Sequence, residues 1–156
     1  MRVAIYPGTF DPITLGHFDI ITRALHLFDK VIIAVATSQS KQPMFDLDKR
    51  VAMIKASVAH LKNIEVQPFD NLLVDFAKSH QSHIIIRGLR AVSDFEYELQ
   101  LGYVNNSLDD NIETVYLMPT LEHAFVSSSI VRNLLSFNAK VDHVVPKEII
   151  PMLNEF

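Results

Sequence analysis

Residues 3–17 read VAIYPGTFDPITLGH, and this stretch decides the fold. Its first residues are β-branched and aromatic and run into Pro7 and Gly8, a pattern that predicts a strand ending in a turn. Apolar residues at helical spacing follow, so we expect a helix over residues 15–28. Gly8 and Gly16 would allow either a positive φ or a close approach of the backbone to another group. Because the N-terminus of a helix offers N–H groups and the positive end of its dipole, the loop suits an anion such as phosphate.

Taken alone, the loop leaves a simpler interpretation open. Strand–loop–helix openings with a glycine are common, and a histidine such as His17 in a first helical turn is often a capping or solvated residue. The stretch is neither the dinucleotide-binding pattern G-x-G-x-x-G nor the Walker loop that ends in Gly-Lys-Ser/Thr. Its chemistry therefore depends on what the rest of the chain brings to the same place.

Composition restricts the classes of function. A chain of 156 residues, 49% of them hydrophobic, predicts one folded domain over residues 1–156 rather than a disordered protein. The net charge of −4, without a basic block, argues against a protein that grips nucleic acid by its backbone. No apolar run approaches the roughly 18 residues that cross a bilayer, and no signal peptide precedes the first strand, so we expect a cytoplasmic protein without a membrane partner. The lack of cysteine excludes disulfides and thiolate chemistry.

Predicted strands alternate with predicted helices along the whole chain. The strands are expected at residues 2–6, 31–36, 64–66, 83–86 and 114–118. This alternation predicts an α/β fold, a single doubly wound five-stranded parallel sheet of the Rossmann-like kind with helices on both faces. Right-handed crossovers favour the strand order 3-2-1-4-5, which puts the ligand crevice outside the C-terminal ends of the first and fourth strands.

Polar side chains follow these C-terminal ends. They comprise a histidine, a lysine, two arginines and several hydroxyls, namely Thr9, His17, Ser38, Lys41, Arg87, Arg90, Ser127, Ser128 and Ser129. Taken singly, each could be a solvated side chain or an ordinary helix cap. Together, without a carboxylate pair or a cysteine, they suit polyphosphate binding and nucleotidyl transfer, in which the protein mainly orients substrates and neutralises charge.

These residues also carry a resemblance to a known family. The segment GTFDP at residues 8–12, followed by Gly16 and His17, resembles the signature of the T/HxGH nucleotidyltransferase superfamily. The stretches at residues 37–45, 86–98 and 125–132 are similar to those of its phosphopantetheine adenylyltransferase family, bacterial type. The resemblance spans essentially the whole chain, and several motifs in the right order are far more specific than any one of them.

The resemblance implies an enzyme of coenzyme A biosynthesis that transfers the adenylyl group of ATP to 4′-phosphopantetheine, giving dephospho-coenzyme A and pyrophosphate. It implies that His17 stabilises the transition state, while Thr9 and Lys41 position the attacking phosphate. Phosphopantetheine would be bound by Thr9, Lys41, Leu73 and Arg87. ATP would be bound by Thr9, Phe10, His17, Gly88, Leu89, Arg90, Glu98, His123, Ala124, Phe125, Val126, Ser127, Ser128 and Ser129.

Two of these residues have a second interpretation or depart from the family. Leu73 fits equally well as a core residue of the third helix, and His123 stands where the family often has an aromatic residue, typically Trp. The resemblance also implies Mg²⁺ that arrives with ATP, a homohexamer and feedback by coenzyme A. Since the histidines are scattered, and the pair His80 and His83 has no carboxylate beside it, no metal site held by the protein alone is expected.

Two other functions remain open at this point. A different nucleotidyltransferase, acting on nicotinate mononucleotide or a polyol phosphate, would keep the segment at residues 8–17 but not the stretch at residues 86–98. A non-catalytic nucleotide-binding module could share the same architecture. The joint presence of Thr9, His17, Lys41 and Arg90 argues against such a module.

Overall fold

The computed structural model describes residues 1–37 and 42–154. Its strands are β1 (Val3–Gly8), β2 (Lys30–Ala36), β3 (Ile64–Phe69), β4 (Ile84–Gly88) and β5 (Glu113–Leu117). Its α-helices are α1 (Leu15–Leu27), α2 (Leu47–Val58), α3 (Leu73–Ser79), α4 (Val92–Leu108) and α5 (Ser128–Ser136). Two 3₁₀ helices span Leu121–His123 and Lys147–Asn154.

The five strands form one parallel sheet in the order β3-β2-β1-β4-β5, which confirms the predicted topology. In the centre, Ile5 of β1 pairs with Ile32 of β2 on one side and Ile85 of β4 on the other. The chain builds outward from β1 in one direction and then, from β4, in the other. The sheet therefore has a switch point between β1 and β4, where parallel α/β sheets leave a crevice at their C-terminal edge.

Both faces of the sheet are buried, as the continuous apolar run of β2 predicts. Val31 and Ile33 point into a core formed with α1, α2, α5 and the C-terminal segment. Ile32 and Ala34 point the other way, toward α3. The prediction of helices on both faces is thus confirmed. No helix in the described part of the chain is long and apolar enough to cross a lipid bilayer.

Side-chain caps mark the starts of α2 and α5. Asp46 caps α2 and Ser127 caps α5, each accepting the backbone N–H three residues further on, at 2.8 and 3.2 Å. Pro146 directly precedes the last helix, Lys147–Asn154, which is a 3₁₀ helix. These caps matter for the site because α5 begins at the C-terminal edge of the sheet.

The two glycines on either side of the loop between β1 and α1, Gly8 and Gly16, allow close packing. None of the four glycines, all of which are described, has a positive φ. The left-handed residue is Phe10, with φ of 52°, and a Cβ on Gly8 would lie 2.9 Å from its buried ring. A Cβ on Gly16 would lie 3.1 Å from the carbonyl oxygen of Val126. The expectation of close approach is therefore confirmed, whereas the backbone strain falls on Phe10.

Candidate active site

A cavity of about 330 Å³ opens where β1 and β4 end, at the predicted crevice. The end of β1 and the following loop form one wall, the end of β4 and α4 form a second, and the start of α5 forms a third. The sheet thus brings together most of the residues predicted for the site. Those that line the cavity are Thr9, Phe10, His17, Arg87, Gly88, Arg90, Glu98, Val126, Ser127, Ser128 and Ser129.

The remaining predicted residues lie elsewhere. Lys41 lies outside the described residues. Leu73 begins α3 and packs against the core under the sheet, in keeping with its second interpretation. Leu89 directly follows β4 and does not line the cavity. Residues 123–125, which precede α5, do not line it either. Contacts of these residues with a substrate stay predictions.

His17 is held at the start of α1 by a reciprocal pair of hydrogen bonds with Thr14. The backbone N–H of His17 donates to the Thr14 hydroxyl at 3.3 Å, and the backbone N–H of Thr14 donates to Nδ1 of His17 at 3.0 Å. Because a backbone N–H can only donate, Nδ1 must be the unprotonated nitrogen of the ring. The proton of the neutral imidazole is therefore on Nε2, which is left to donate to a ligand in the cavity.

Electrostatics keep this imidazole neutral. Burial, aided by the positive charges of Arg90 and Arg87, lowers the pKa of His17 from 6.5 to about 3. Desolvation is the main physical cause, and the two arginines add to it. At neutral pH the ring is a hydrogen-bond donor without a net charge.

Arg87, at the end of β4, is fixed by Glu98 of α4. Its Nε and Nη2 atoms donate to the two carboxylate oxygens at 2.7 and 2.6 Å, and Nη1 donates to the Pro7 carbonyl oxygen at 3.3 Å. Burial acts to lower the pKa of Arg87, but the hydrogen bonds and charge of Glu98 outweigh it and raise the pKa above its usual value. The guanidinium is thus a permanent cation with a set orientation.

Two further side chains add to the charge and shape of this wall. Arg90 lies in the cavity with its Nε 3.8 Å from the Asp94 carboxylate, so it keeps most of its donors for a ligand. Tyr6 of β1 is buried, and burial raises the pKa of its hydroxyl despite the nearby arginines. Tyr6 therefore stays protonated and contributes an apolar ring to the cavity floor.

The start of α5 supplies the third wall. Ser127 caps the helix, while the Ser128 hydroxyl donates to the Pro12 carbonyl oxygen at 2.9 Å and ties the helix to the β1–α1 loop. Arg132, one turn on, donates to the Asp11 carbonyl oxygen at 2.8 Å. The N–H groups of a first helical turn have no acceptor within the helix and point outward, an arrangement that suits phosphate.

His123 turns toward α1. Its Nδ1 lies 2.7 Å from a carboxylate oxygen of Asp19, which also accepts the Thr120 hydroxyl at 2.7 Å. The segment that leads into α5 is thereby tied to the helix that carries His17. At the position where the resemblance led us to expect an aromatic residue, His123 thus contacts Asp19 and does not line the cavity.

Several cavity residues were not assigned from the sequence. One signal was available, since Thr14 stands three residues before His17, at the spacing of a capping box. Gly8 and Gly16 were marked for close approach of the backbone but not as ligand contacts. No local pattern marks a role for the others, which are Tyr6, Pro7, Ile20, Asp94 and Pro119.

The described residues include no group of three or more His, Asp or Glu side chains arranged to hold a metal ion. In the cavity the Glu98 carboxylate is already engaged by Arg87, which leaves Asp94 as the other carboxylate of the lining.

Proteins named phosphopantetheine adenylyltransferase are similar to this chain over nearly its whole length. The protein of Campylobacter hominis is 62% identical over 97% of this chain and 95% of its own. The protein of Nautilia profundicola is 61% identical over 94% of this chain and 96% of its own, and that of Campylobacter concisus is 63% identical over 97% of each. The chain belongs to the phosphopantetheine adenylyltransferase family. A family model described as cytidylyltransferase-like also matches, over residues 5–134.

The match to the cytidylyltransferase-like model covers every wall of the cavity, from β1 to the first turns of α5. The fold is also shared with a solved structure, the lipopolysaccharide core biosynthesis protein from Thermoplasma volcanium. That structure has a TM-score of 0.56 and 23% identity, and the match covers 77% of this chain and 97% of the other. At this identity the likeness concerns the fold. Membership of the phosphopantetheine adenylyltransferase family therefore rests on the closer relatives.

Proposed function

We propose that this protein transfers the adenylyl group of ATP to 4′-phosphopantetheine, producing dephospho-coenzyme A and pyrophosphate. The observation that carries the proposal is the convergence, in one cavity, of a neutral imidazole donor, two arginines and a helix N-terminus. Both substrates are anionic, and such a cavity is suited to holding two phosphate groups close together. The names of the relatives, at 61–63% identity, support the choice of acceptor.

The reaction is an in-line displacement. A phosphate oxygen of 4′-phosphopantetheine attacks the α-phosphorus of ATP, a new P–O bond forms, and the bond to the leaving pyrophosphate breaks without a covalent enzyme intermediate. Holding the two reactants in line can supply roughly 7–11 kcal/mol of the reduction in the barrier. The chain's own residues therefore act mainly by positioning.

His17 donates the hydrogen bond that matters most for the chemistry. Nε2 carries the proton because Nδ1 accepts the Thr14 N–H, and the capping box prevents the ring from turning away. The donor faces the α-phosphate oxygens, whose charge changes as the displacement proceeds. Stabilising that charge in a partly desolvated site lowers the barrier.

The two substrates occupy different walls in this proposal. The triphosphate lies against Arg90 and the N-terminus of α5, with residues 88–90 and 123–129 along its path. The phosphate of phosphopantetheine lies against Thr9 and Arg87, together with Lys41. The fixed fork of Arg87 favours this assignment because it can present its remaining N–H groups to phosphate oxygens.

Mg²⁺ is proposed to enter with ATP. When bound, it would neutralise charge on the phosphates and stabilise the leaving pyrophosphate. The few carboxylates of the cavity agree with a metal that takes most of its ligands from phosphate and water.

Assembly, location and feedback belong to the same proposal. α4 exposes several large apolar side chains, among them Tyr97 at 62% and Tyr103 at 69% exposure, which supports association into the homohexamer expected for the family. A cytoplasmic location suits a chain without cysteine. Coenzyme A shares the pantetheine and adenosine parts of the product, so it would bind in the same cavity and oppose substrate binding.

The decisive experiment measures pyrophosphate release from ATP and Mg²⁺ with four acceptor conditions: 4′-phosphopantetheine, nicotinate mononucleotide, glycerol phosphate and none. We expect release with 4′-phosphopantetheine only. Release with another acceptor would keep nucleotidyl transfer but overturn the acceptor assignment. Binding of ATP with no release in any condition would favour a non-catalytic nucleotide-binding module.

A further inference from the structure

Arg50 of α2 is a buried cation that joins three separate segments. Only 2% of the residue is exposed. Its Nε donates to the Phe45 carbonyl oxygen at 3.0 Å, and its Nη1 donates to the carbonyl oxygens of Thr9 and Ala36 at 2.8 and 2.9 Å. One guanidinium thus holds the β1–α1 loop, the end of β2 and the residue that precedes the cap of α2.

A buried guanidinium needs compensation, and the surroundings supply it. Burial acts to lower the pKa of Arg50, and the charges of Asp11 and Asp46 oppose that effect. The Asp11 carboxylate also accepts the backbone N–H groups of Met44 and Phe45 at 2.8 and 2.9 Å. Arg50 and Asp11 therefore both bind the backbone of residues 44–45. Arg50 donates to the Phe45 carbonyl group, and Asp11 accepts the N–H groups of Met44 and Phe45.

One of the three carbonyl groups belongs to the cavity wall, and the other two belong to residues on either side of the stretch that carries Lys41. Thr9 lies in the cavity wall with its side chain exposed. The carbonyl oxygen of the same residue accepts a hydrogen bond from Arg50. Ala36 and Phe45 flank the stretch at residues 37–44, which carries Lys41 in the sequence. Arg50 itself is not among the described residues that line the cavity. Arg50 therefore contacts the wall through the backbone, by its hydrogen bond to the Thr9 carbonyl oxygen.

We propose that Arg50 is a positioning residue for the wall that binds the acceptor phosphate, acting through the Thr9 carbonyl group and through the two anchors at Ala36 and Phe45. This inference rests on the proposed function, since it assumes that the Thr9 wall holds the acceptor. A planar guanidinium with fixed donor directions can bridge three carbonyl groups, whereas a lysine ammonium on a flexible stem cannot reproduce that geometry. In the proposed arrangement the triphosphate of ATP follows other walls, formed by Arg90 and the start of α5.

The test is a pair of substitutions, Arg50→Lys and Arg50→Met, with steady-state kinetics that vary each substrate in turn. We expect KM for 4′-phosphopantetheine to rise and kcat to fall, each by about tenfold, because small misplacements of a reacting group cost up to about 10²-fold in rate. The KM for ATP should stay within about twofold of the wild-type value. Arg50→Lys should be less impaired than Arg50→Met, because it keeps a cation beside Asp11.

Ile54→Ala provides the matched control. Ile54 is fully buried on the same helix and packs in the main core, and its apolar side chain has no donor for the three carbonyl groups. It should lower the melting temperature but leave both KM values unchanged below that temperature. If the Arg50 variants behave like this control, or lose affinity for both substrates equally, Arg50 is merely structural and the inference is overturned. If Arg50→Met does not fold, Arg50→Lys decides by the same comparison.

Wild-type turnover is measured first with each acceptor, so that the two proposals fail separately. No release with 4′-phosphopantetheine overturns the proposed function. If another acceptor supports release, the Arg50 variants are compared with that acceptor in place of 4′-phosphopantetheine. If no acceptor supports release, the inference about Arg50 is overturned together with the proposed function. Wild-type release with 4′-phosphopantetheine, combined with variants that lose only stability, overturns the inference alone.

Discussion

The backbone N–H of Thr14 donates to Nδ1 of His17 at 3.0 Å, and the backbone N–H of His17 donates back to the Thr14 hydroxyl at 3.3 Å. This pair does two things at once. It caps α1, and it fixes the tautomer of the histidine so that Nε2 carries the proton. The capping box that begins α1 therefore also leaves Nε2 of His17 as the hydrogen-bond donor that the proposed reaction requires.

Replacing His17 by Ala should lower kcat by about 10²–10³-fold, the usual cost of losing one donor to a transition state. The KM for ATP should change far less, because Arg90 and the start of α5 hold the nucleotide. Steady-state pyrophosphate release measures both. His60→Ala, at an exposed histidine outside the cavity lining, is the control. A turnover within a few-fold of wild type would remove His17 from the mechanism.

The pH dependence of turnover should lack a histidine ionisation. The pKa of His17 is lowered to about 3, first by burial and then by the charges of Arg90 and Arg87. Between about pH 5 and 8 the ring therefore stays neutral and kcat should not follow its titration. The measurement is kcat against pH under saturating substrates. A kcat that falls as pH drops through 6.5, and that does so only when His17 is present, would show that the ring titrates normally.

The same shift predicts how stability varies with pH. In the unfolded chain the imidazole binds a proton below 6.5, whereas in the folded protein it does so only near 3. The unfolded state thus binds more protons in this window, so the free energy of unfolding contributed by His17 falls as pH drops from 6.5 toward 3. Urea unfolding of wild type and His17→Gln at pH 7 and pH 5 tests this. The variant should lose less stability between the two, and equal losses would contradict the assignment.

Glu98→Gln should destabilise the protein and weaken the acceptor wall. The carboxylate accepts two hydrogen bonds from Arg87 and is only 7% exposed, so the neutral amide leaves a partly buried guanidinium without its counter-charge. We expect a loss of about 1–3 kcal/mol in the free energy of unfolding and a higher KM for 4′-phosphopantetheine. Glu96→Gln, at an exposed position of the same helix, is the matched control and should behave like wild type. Equal effects of the two variants would show that the ion pair does not matter.

Asp19→Ala should loosen the segment that leads into α5. The Asp19 carboxylate accepts the Thr120 hydroxyl at 2.7 Å and lies 2.7 Å from Nδ1 of His123. Losing an acceptor shared by two partners should lower the free energy of unfolding by about 1–3 kcal/mol, and the KM for ATP should rise because that segment positions Ser127. Asp110→Ala removes an exposed carboxylate and serves as the control. An unchanged KM for ATP would limit the Asp19 contacts to a structural role.

Much of the fold follows from short-range patterns in the chain. The apolar run of β2 predicts a strand buried on both faces, and the alternation of strands and helices predicts the order β3-β2-β1-β4-β5. Caps at Asp46 and Ser127 are visible in the sequence because a capping residue acts only three positions away. The same patterns place most of the cavity residues at the correct edge of the sheet.

Other features of the site depend on partners far apart in the chain. Arg50 contacts Thr9 across 41 positions, and His123 contacts Asp19 across 104. No periodicity or motif marks such pairs, since neither partner alone shows in the sequence which distant residue it will contact. The left-handed backbone of Phe10, whose ring packs closely over Gly8, is likewise not marked by any local pattern in the sequence.

From the sequence alone came the parallel sheet, its strand order, the crevice between β1 and β4, and the family. These depend on the local spacing of apolar residues, on caps and on motifs of contiguous residues. Tertiary structure decided how the side chains are used there: His17 neutral with its proton on Nε2, Arg87 locked by Glu98, and Arg50 tied to three carbonyl groups. Burial and charge at those points arise only when distant segments pack together, because desolvation and Coulomb interactions depend on distance in space rather than in sequence.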